Sequence, residues 1–338
     1  KKITIILGGF MDVFIATHGT KISKEGDTFL IRTENERKNI SPIKIKSLIL
    51  SSRSSLTTAA IELANRFNVD IVVMDKYGNP YGRFWHCKFG STAKIRRRQL
   101  EVFSSKEGME ISKAWVSKKL NSGCEHIKKL SHRRRDKTDL LNSKIENIRY
   151  YIAKIDELKG ENEEVRQKIM GYEGNASKIY YSTISELLPL EYKFNKRTTR
   201  PAQDPYNAYL NYGFGILYNK VEKACIIAGL DPFIGTIHTD GYNKKSLVFD
   251  MIEMHRYLVW ETVFSLFSRK LVNKNQFETT KQGVNLNKEG KKLIAVTLGD
   301  KMMKKVEHNG RLITQASIIQ AKCHELSNYL IAMGDEEC

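Results

Sequence analysis

Two segments set the character of the chain: Gly229-Leu-Asp-Pro-Phe-Ile-Gly235-Thr-Ile-His238 and Ser246-Leu-Val-Phe-Asp250-Met-Ile-Glu253-Met-His-Arg256. The first reads as a helix stop at Gly229 and a stiff turn that leaves an imidazole on a loop. The second opens a helix, read as running from Ser246 to Leu271. At about 100° per residue, Asp250, Glu253, Tyr257, Trp260 and Glu261 fall on one side. Leu247, Val248, Met251, Ile252, Val259, Val263 and Leu266 cover much of the rest, so the acids have no solvated stripe of their own. A carboxylate held among apolar groups needs a cation, and an arginine or a metal can serve. Asp250 and Glu253, three residues apart, are close enough to share one hard cation.

Working upstream, Gly171-Tyr-Glu173-Gly-Asn-Ala176 reads as the beginning of a helix that runs to Tyr180. Small Gly174 and Ala176 would permit close packing there. A glutamate at a helix start is favoured by the macrodipole with no further function, and a lone loop histidine is more often structural. Two carboxylates and a histidine can also form an open octahedral site for Mg²⁺ or Mn²⁺. Spacing alone does not bring Glu173, His238 and the Asp250–Glu253 pair together.

Residues 1–86 have a different texture. Short β-branched runs at Ile3–Leu7, Val13–Thr17, Lys21–Ser23, Thr28–Arg32, Ile43–Leu50, Val69–Met74 and Tyr81–His86 alternate with turns at Gly8-Gly9, His18-Gly19, Glu25-Gly26-Asp27 and Tyr77-Gly78-Asn79-Pro80. One helix is expected over Ser54–Phe67, with Leu56, Ala59, Ala60, Leu63 and Phe67 on one face. From Lys88 long helical patterns take over, and no proline occurs between Pro80 and Pro189. Residues 139–168 read as a charged helix broken at Gly160. Further helices are expected over Asn175–Ser185, Tyr206–Ala228, Lys288–Glu307 and Thr314–Ala332. Lys193–Asp204 and Lys270–Asn287 read as polar loops, the second mobile, and Gly334–Cys338 as a frayed end. The fold class is therefore α+β. A β-rich domain spans 1–86, a linker 87–98 and a helical domain 99–338.

The net charge of +18 over 338 residues calls for an acidic partner, with nucleic acid first and an anionic membrane surface second. No run of about 18 apolar residues marks a spanning helix. The Lys1-Lys2-Ile3 start is not a signal peptide. Five irregularly spaced cysteines, Cys87, Cys124, Cys225, Cys323 and Cys338, argue for a reducing cytoplasm. His86-Cys87, Cys124-Glu-His126 and Cys323-His324 do not match structural zinc spacings. Residues 88–137 carry fifteen Lys or Arg against five Asp or Glu. Their densest runs, Arg96-Arg97-Arg98 and Arg133-Arg134-Arg135, are candidates for phosphate contacts; a solvated helix face is the bland alternative.

The four motifs in order, from Tyr172-Glu173-Gly-Asn-Ala176 through Arg200-Pro-Ala-Gln-Asp204-Pro-Tyr-Asn207 to the two segments quoted first, resemble the CRISPR-associated protein one family, the integrase of spacer acquisition. The resemblance covers essentially the whole chain. It implies an N-terminal β-domain joined to a helical catalytic domain, a homodimer, and a small second adaptation protein (CRISPR-associated protein two) as partner. Glu173, His238 and Glu253 match the family's metal-binding positions for Mg²⁺ or Mn²⁺. Asp250 matches the first acid of the pair, as a second ligand or an orienting neighbour, and Arg256 matches a basic position near the phosphate. His255 stands where an aromatic is usual and reads as packing. The implied reaction is attack of a DNA 3′-hydroxyl on a target phosphodiester, with repeat DNA as target. Casposon-type integrases share this catalytic set. They often carry an extra C-terminal domain, and the chain's end soon after Ala332 favours the CRISPR reading. A non-catalytic DNA-binding scaffold explains the charge and leaves the acids unexplained.

Overall fold

The computed structural model describes residues 4–5, 11–75, 80–84, 93–160, 163–238, 242 and 244–332. The expected turns at Gly8-Gly9 and around Tyr77–Asn79, the end of the strand read to His86, the His86-Cys87 pair, linker residues 87–92 and the tail Gly334–Cys338 lie outside them. Two compact units account for the chain. One holds Lys1–Lys88, Thr198–Asn219 and Lys270–Gln315; the other holds Phe89–Arg197, Lys220–Arg269 and Ala316–Cys338. The boundary expected between residues 86 and 99 is therefore followed by two returns of the chain to the first unit.

The first unit begins with β1 (Thr4–Ile5), β2 (Met11–Ile15), β3 (Thr20–Glu25), β4 (Thr28–Arg32), β5 (Arg37–Ile40), β6 (Ile45–Leu50) and β7 (Ser54–Leu56), then α1 (Thr58–Arg66), β8 (Asp70–Met74) and β9 (Pro80–Phe84). A five-stranded sheet runs β1-β2-β6-β8-β9 and a four-stranded one β5-β4-β3-β7. β2, β6 and β8 are parallel neighbours. Their runs Val13–Ile15, Leu48–Leu50 and Ile71–Val72 are buried on consecutive residues, as strands covered on both faces must be. Ile22, Phe29 and Ile31 of the second sheet and Ala60, Leu63 and Ala64 of α1 join them in one core. The expected Ser54–Phe67 helix starts later. Ser54–Leu56 pairs with β3 as a strand, and the Thr57 side chain then caps α1 by accepting from Ala60 N–H.

Helices follow: α2 (Ala93–Phe103), α3 (Lys106–Ser131), α4 (Thr138–Asp156), α5 (Glu163–Glu186), α6 (Pro205–Ile227), α7 (Ser246–Ile252) and α8 (Arg256–Ser268). α2 takes up residues 93–98 of the span expected to be a linker. Gly160, at φ 110°, separates α4 from α5 where the sequence predicts a break. α5 unites two stretches read separately, so Glu173 lies in mid-helix, away from any macrodipole benefit at a terminus. Gly174 has nothing within 4 Å of a built Cβ, so close packing does not explain it. The helix expected from Ser246 to Leu271 is broken by a 3-10 turn at Glu253–His255.

The segment read as a mobile loop at Lys270–Asn287 is ordered in the first unit. β10 (Phe277–Thr280) and β11 (Gly283–Leu286) form a hairpin, Val284 N–H bonds Ala202 C=O at 2.8 Å, and Tyr209 Oη donates to Gln276 Oε1 at 2.8 Å. α9 (Lys288–Met303) ends four residues before its expected stop. A second hairpin, β12 (Lys305–His308) and β13 (Arg311–Thr314), follows it. Asn309 and Gly310 have φ 50° and 72°, which a two-residue hairpin turn requires. α10 (Gln315–Ala332) belongs to the second unit from Ala316. Among the described residues no helix is long and apolar enough to cross a membrane.

Candidate active site

α3 has a buried stripe at Ser112, Val116, Lys119, Gly123, Ile127 and Leu130, the i, i+4, i+7 spacing of a core-facing helix. Lys119 sits in that stripe. Its ammonium makes ion pairs with Glu173 Oε1 of α5 and with Glu253 Oε2, 2.5 Å away, at the 3-10 turn. Lys119 is 5% exposed. Ser177 Oγ donates to Glu173 Oε1 at 2.6 Å. Arg256 donates Nε and Nη2 to Glu253 Oε1 at 2.9 and 2.7 Å. Glu253 Oε2 is buried and has the Lys119 ion pair without hydrogen-bond geometry.

Burial alone would raise both carboxyls. For Glu253 the Arg256 and Lys119 cations override it and bring the group down to about 2. For Glu173 burial and the Glu253 charge push upward, and Lys119 with the Ser177 hydroxyl turns the balance downward. Lys119 itself is pushed down by burial and raised overall by Glu253 and Glu173. Both glutamates and the lysine are therefore charged at neutral pH.

Asp250 does something else. It is fully buried, and its carboxylate faces the 236–238 loop. Oδ2 accepts from Thr236 N–H at 2.6 Å, Thr236 Oγ1 at 3.3 Å and Ile237 N–H at 3.3 Å. Oδ1 accepts from His238 N–H at 3.1 Å and lies 2.6 Å from His238 Nδ1. These contacts occupy both oxygens, so Asp250 and Glu253 do not share a cation as their spacing suggests. The turn at Glu253–His255 redirects the chain, and the two acids serve different partners. An ionised carboxylate only accepts, so Nδ1 carries the ring proton and Nε2 is left as the lone-pair nitrogen.

The loop is held close to α7 by composition. A Cβ on Gly235 would lie 2.6 Å from Ser246 Cβ and 2.9 Å from Asp250 Oδ2, too near for any other residue. Gln99, fully buried on α2, donates to Asp231 and Ile234 C=O at 2.9 and 2.8 Å and accepts from Asp231 N–H at 2.9 Å. Ser112 donates to Thr236 Oγ1.

The donor chemistry fits the expected Mg²⁺ or Mn²⁺. Glu173 and Glu253 converge on one cation, the Lys119 ammonium, and the carboxylate–imidazole pair leaves His238 Nε2 for a ligand role. Among the described residues no three His, Cys, Asp or Glu side chains are already gathered to hold a metal. Lys119 stands between two of the candidates. Lys119, Ser177 and Gln99 are site residues that the sequence reading missed. Lys119 had a legible signal, a charge on the apolar stripe of α3, but counted there only as one of fifteen cations.

His255 is buried, and burial, with the Lys322 and Lys118 charges, takes its imidazole down to about 4. It is neutral at physiological pH and packs as an aromatic would. Arg256 is committed to Glu253. Of the other arginines, Arg97, Arg133 and Arg135 are exposed. Arg98 pairs with Glu101 at 2.8 Å, and Arg96 lies 3.8 Å from Asp231. Arg134 stacks over Phe264, 5.5 Å from the ring centroid. Cys124, Cys225 and Cys323 are buried free thiols.

A family model described as CRISPR associated protein Cas1 matches residues 13–299. The CRISPR-associated endonuclease Cas1 1 of Archaeoglobus fulgidus is 30% identical over 305 residues, covering 87% of this chain and 88% of that protein. A casposase solved bound to its integration product is similar at a TM-score of 0.83 and 25% identity, over 95% of this chain and 91% of that one. A Cas1 protein from Thermotoga maritima has the same fold, with a TM-score of 0.81 at 24% identity over 95% and 97% of the two chains. The family match runs through every element that carries Lys119, Glu173, His238, Asp250 and Glu253, and the chain belongs to the Cas1 family.

Proposed function

We propose that this protein is a metal-dependent DNA integrase and endonuclease of CRISPR adaptation, inserting short DNA duplexes into a repeat array. The observation that carries this reading is the convergence of Glu173 and Glu253 on one cation; Asp250, three residues before Glu253, fixes Nδ1 of the third candidate ligand, His238. The family and the endonuclease name of the Archaeoglobus relative support it. Glu173, Glu253 and His238 Nε2 would hold Mg²⁺ or Mn²⁺, which would supply charge neutralisation at a phosphodiester and ease deprotonation of the attacking hydroxyl. Asp250 orients His238 and fixes its tautomer. Arg256 holds Glu253 in place through one carboxylate oxygen and so supports the ligand.

The reaction is a transesterification. The 3′-oxygen of the incoming DNA forms a bond to a target phosphorus while the bond from that phosphorus to the target's own 3′-oxygen breaks. The proton lost by the first hydroxyl is balanced by one gained at the second. With water as nucleophile the same exchange is strand cleavage. Exposed Arg97, Arg133 and Arg135 are the members of the basic runs available to phosphates. The partners are DNA with free 3′-ends, a repeat-containing target, a second copy of the chain joined through the β-rich unit, and CRISPR-associated protein two.

The test supplies a short duplex with free 3′-ends, a supercoiled repeat plasmid and Mn²⁺. Joined products are expected from the native protein and lost in Glu173→Ala and His238→Ala, with DNA binding retained. Joining by both variants would remove the metal-site assignment. Loss of DNA binding in both would favour the scaffold reading instead. The casposase likeness supports a second reading, a casposon-type integrase. Preferential joining of donor DNA that ends in terminal inverted repeats, into a target without a CRISPR repeat, would select it.

A further inference from the structure

The site contains its own cation, and the proposed chemistry does not use it. Lys119 reaches Glu173 on one helix and Glu253 on a turn eighty residues further on, and it is almost fully buried. Two ionised carboxylates this close, taken out of water, repel each other unless a positive charge stands between them. The structure assigns that duty to Lys119. Glu253 Oε2 has the ammonium beside it without hydrogen-bond geometry, so the contact is electrostatic and undirected. Glu253 Oε1 is taken by Arg256 and Glu173 Oε1 is shared with Ser177.

Resting on the metal reading given above, we infer that Lys119 is a placeholder cation. It bridges Glu173 and Glu253 in the metal-free protein, holds the two elements in register, and leaves that position when a divalent ion arrives. An ammonium and a divalent ion cannot share a gap of this size, because the like charges repel in a site with little water to screen them. A lysine suits the exchange. Its charge is a point at the end of a flexible four-carbon stem, with no planar fork to align, so it can withdraw without disturbing α3. Its effect on metal binding is then competitive. The ions must displace it, and apparent affinity is lowered by the fraction of protein in which the bridge is closed. Lys119 is a positioning residue in this account, acting on the metal through the glutamates.

The experiment titrates Mn²⁺ into metal-free native protein, Lys119→Met and Lys119→Arg, following free Mn²⁺ by electron paramagnetic resonance and the melting temperature in parallel. Lys119→Met is expected to melt lower than native protein in chelator, to bind Mn²⁺ about tenfold more tightly, and to gain more melting temperature on binding. Lys119→Arg, which keeps the charge on a planar fork that withdraws less easily, is expected to bind Mn²⁺ no more tightly than native protein. Unchanged or weaker Mn²⁺ binding by Lys119→Met overturns the placeholder role and makes Lys119 a support for the ligands. Absence of Mn²⁺ binding in native protein and in both variants overturns the metal reading together with it. If Lys119→Met does not fold, a crystal of native protein soaked in Mn²⁺ decides. The ammonium should have left the gap between Glu173 and Glu253, and finding it still bridging them beside a bound ion overturns the proposal.

Discussion

Asp250→Asn keeps the shape of the side chain and exchanges one acceptor oxygen for an NH₂ donor. In the native site both oxygens face donors only: Thr236 N–H, Thr236 Oγ1 and Ile237 N–H at Oδ2, His238 N–H and Nδ1 at Oδ1. No orientation of an amide satisfies both sets. Placing the NH₂ at the Oδ2 position orphans two backbone N–H groups, and placing it at Oδ1 orphans one, so the second is preferred. One orphaned buried donor costs about 1–3 kcal/mol, and the remaining bonds lose their charge assistance, for a total of about 2–4 kcal/mol. The consequence for function is sharper than the loss of stability. The amide now donates to Nδ1, the ring proton moves to Nε2, and Nε2 ceases to be a metal-ligand nitrogen. Urea unfolding in chelator measures the first effect. Mn²⁺ titration measures the second, expected as a loss of about 10–100-fold, and ¹⁵N shifts of the His238 ring report the tautomer. Stability within about 1 kcal/mol of native, with unchanged Mn²⁺ affinity and the proton still on Nδ1, would refute the reasoning.

Two glycines near the site should respond in opposite directions. Gly235→Ala forces a methyl against Ser246 and Asp250 and is expected to cost about 1–3 kcal/mol in urea unfolding and to weaken joining. Gly174→Ala places its methyl in open space in mid-helix and is expected to stabilise by up to about 1 kcal/mol; a destabilised variant would mean that α5 is misplaced. Gln99→Leu removes three bonds that pin the 231–234 turn and should cost about 2–3 kcal/mol in the same measurement. Burial raises the Glu253 carboxyl and Arg256 and Lys119 more than reverse it, so its folded value of about 2 lies below its ordinary one. Its stabilisation is thus fully present above the ordinary carboxylate range and is lost as pH falls through about 2. In chelator, the stability gap between native protein and Glu253→Gln should narrow steadily from pH 5 downward; a gap independent of pH would contradict the charged assignment.

The motifs carried more of the site than of its supports. His238 and Asp250 were readable as a loop imidazole and a buried acid in the next helix, because Gly229 marks a helix stop and Pro232 a turn before the apolar run that opens at Ser246. That they pair was not readable, since two acids three apart look equivalent until the 3-10 turn at Glu253–His255 separates them. Glu173 was misplaced to a helix start because Gly171 and Gly174 imitate a boundary, and only packing of α5 carries the helix through both. The β-rich unit followed directly from alternating β-branched runs and glycine turns. The returns of the chain into it did not, since Val284 and Leu286 are too short a pattern to stand out beside polar neighbours. Asn309-Gly310 was a hairpin signal in plain view, hidden by the helical periodicity that precedes it. Lys119 shows a limit of counting charge: its position on the buried stripe of α3 mattered, and its contribution to the net charge did not.

The central claim is that Glu173, Glu253 and His238 hold one divalent ion. Titrating Mn²⁺ into native protein and into Glu173→Ala, Glu253→Ala and His238→Ala, each checked for folding by circular dichroism, tests it most directly. The account predicts one site in native protein and a loss of at least about tenfold in affinity in every variant. Native-like Mn²⁺ binding by any two of the three folded variants would contradict it.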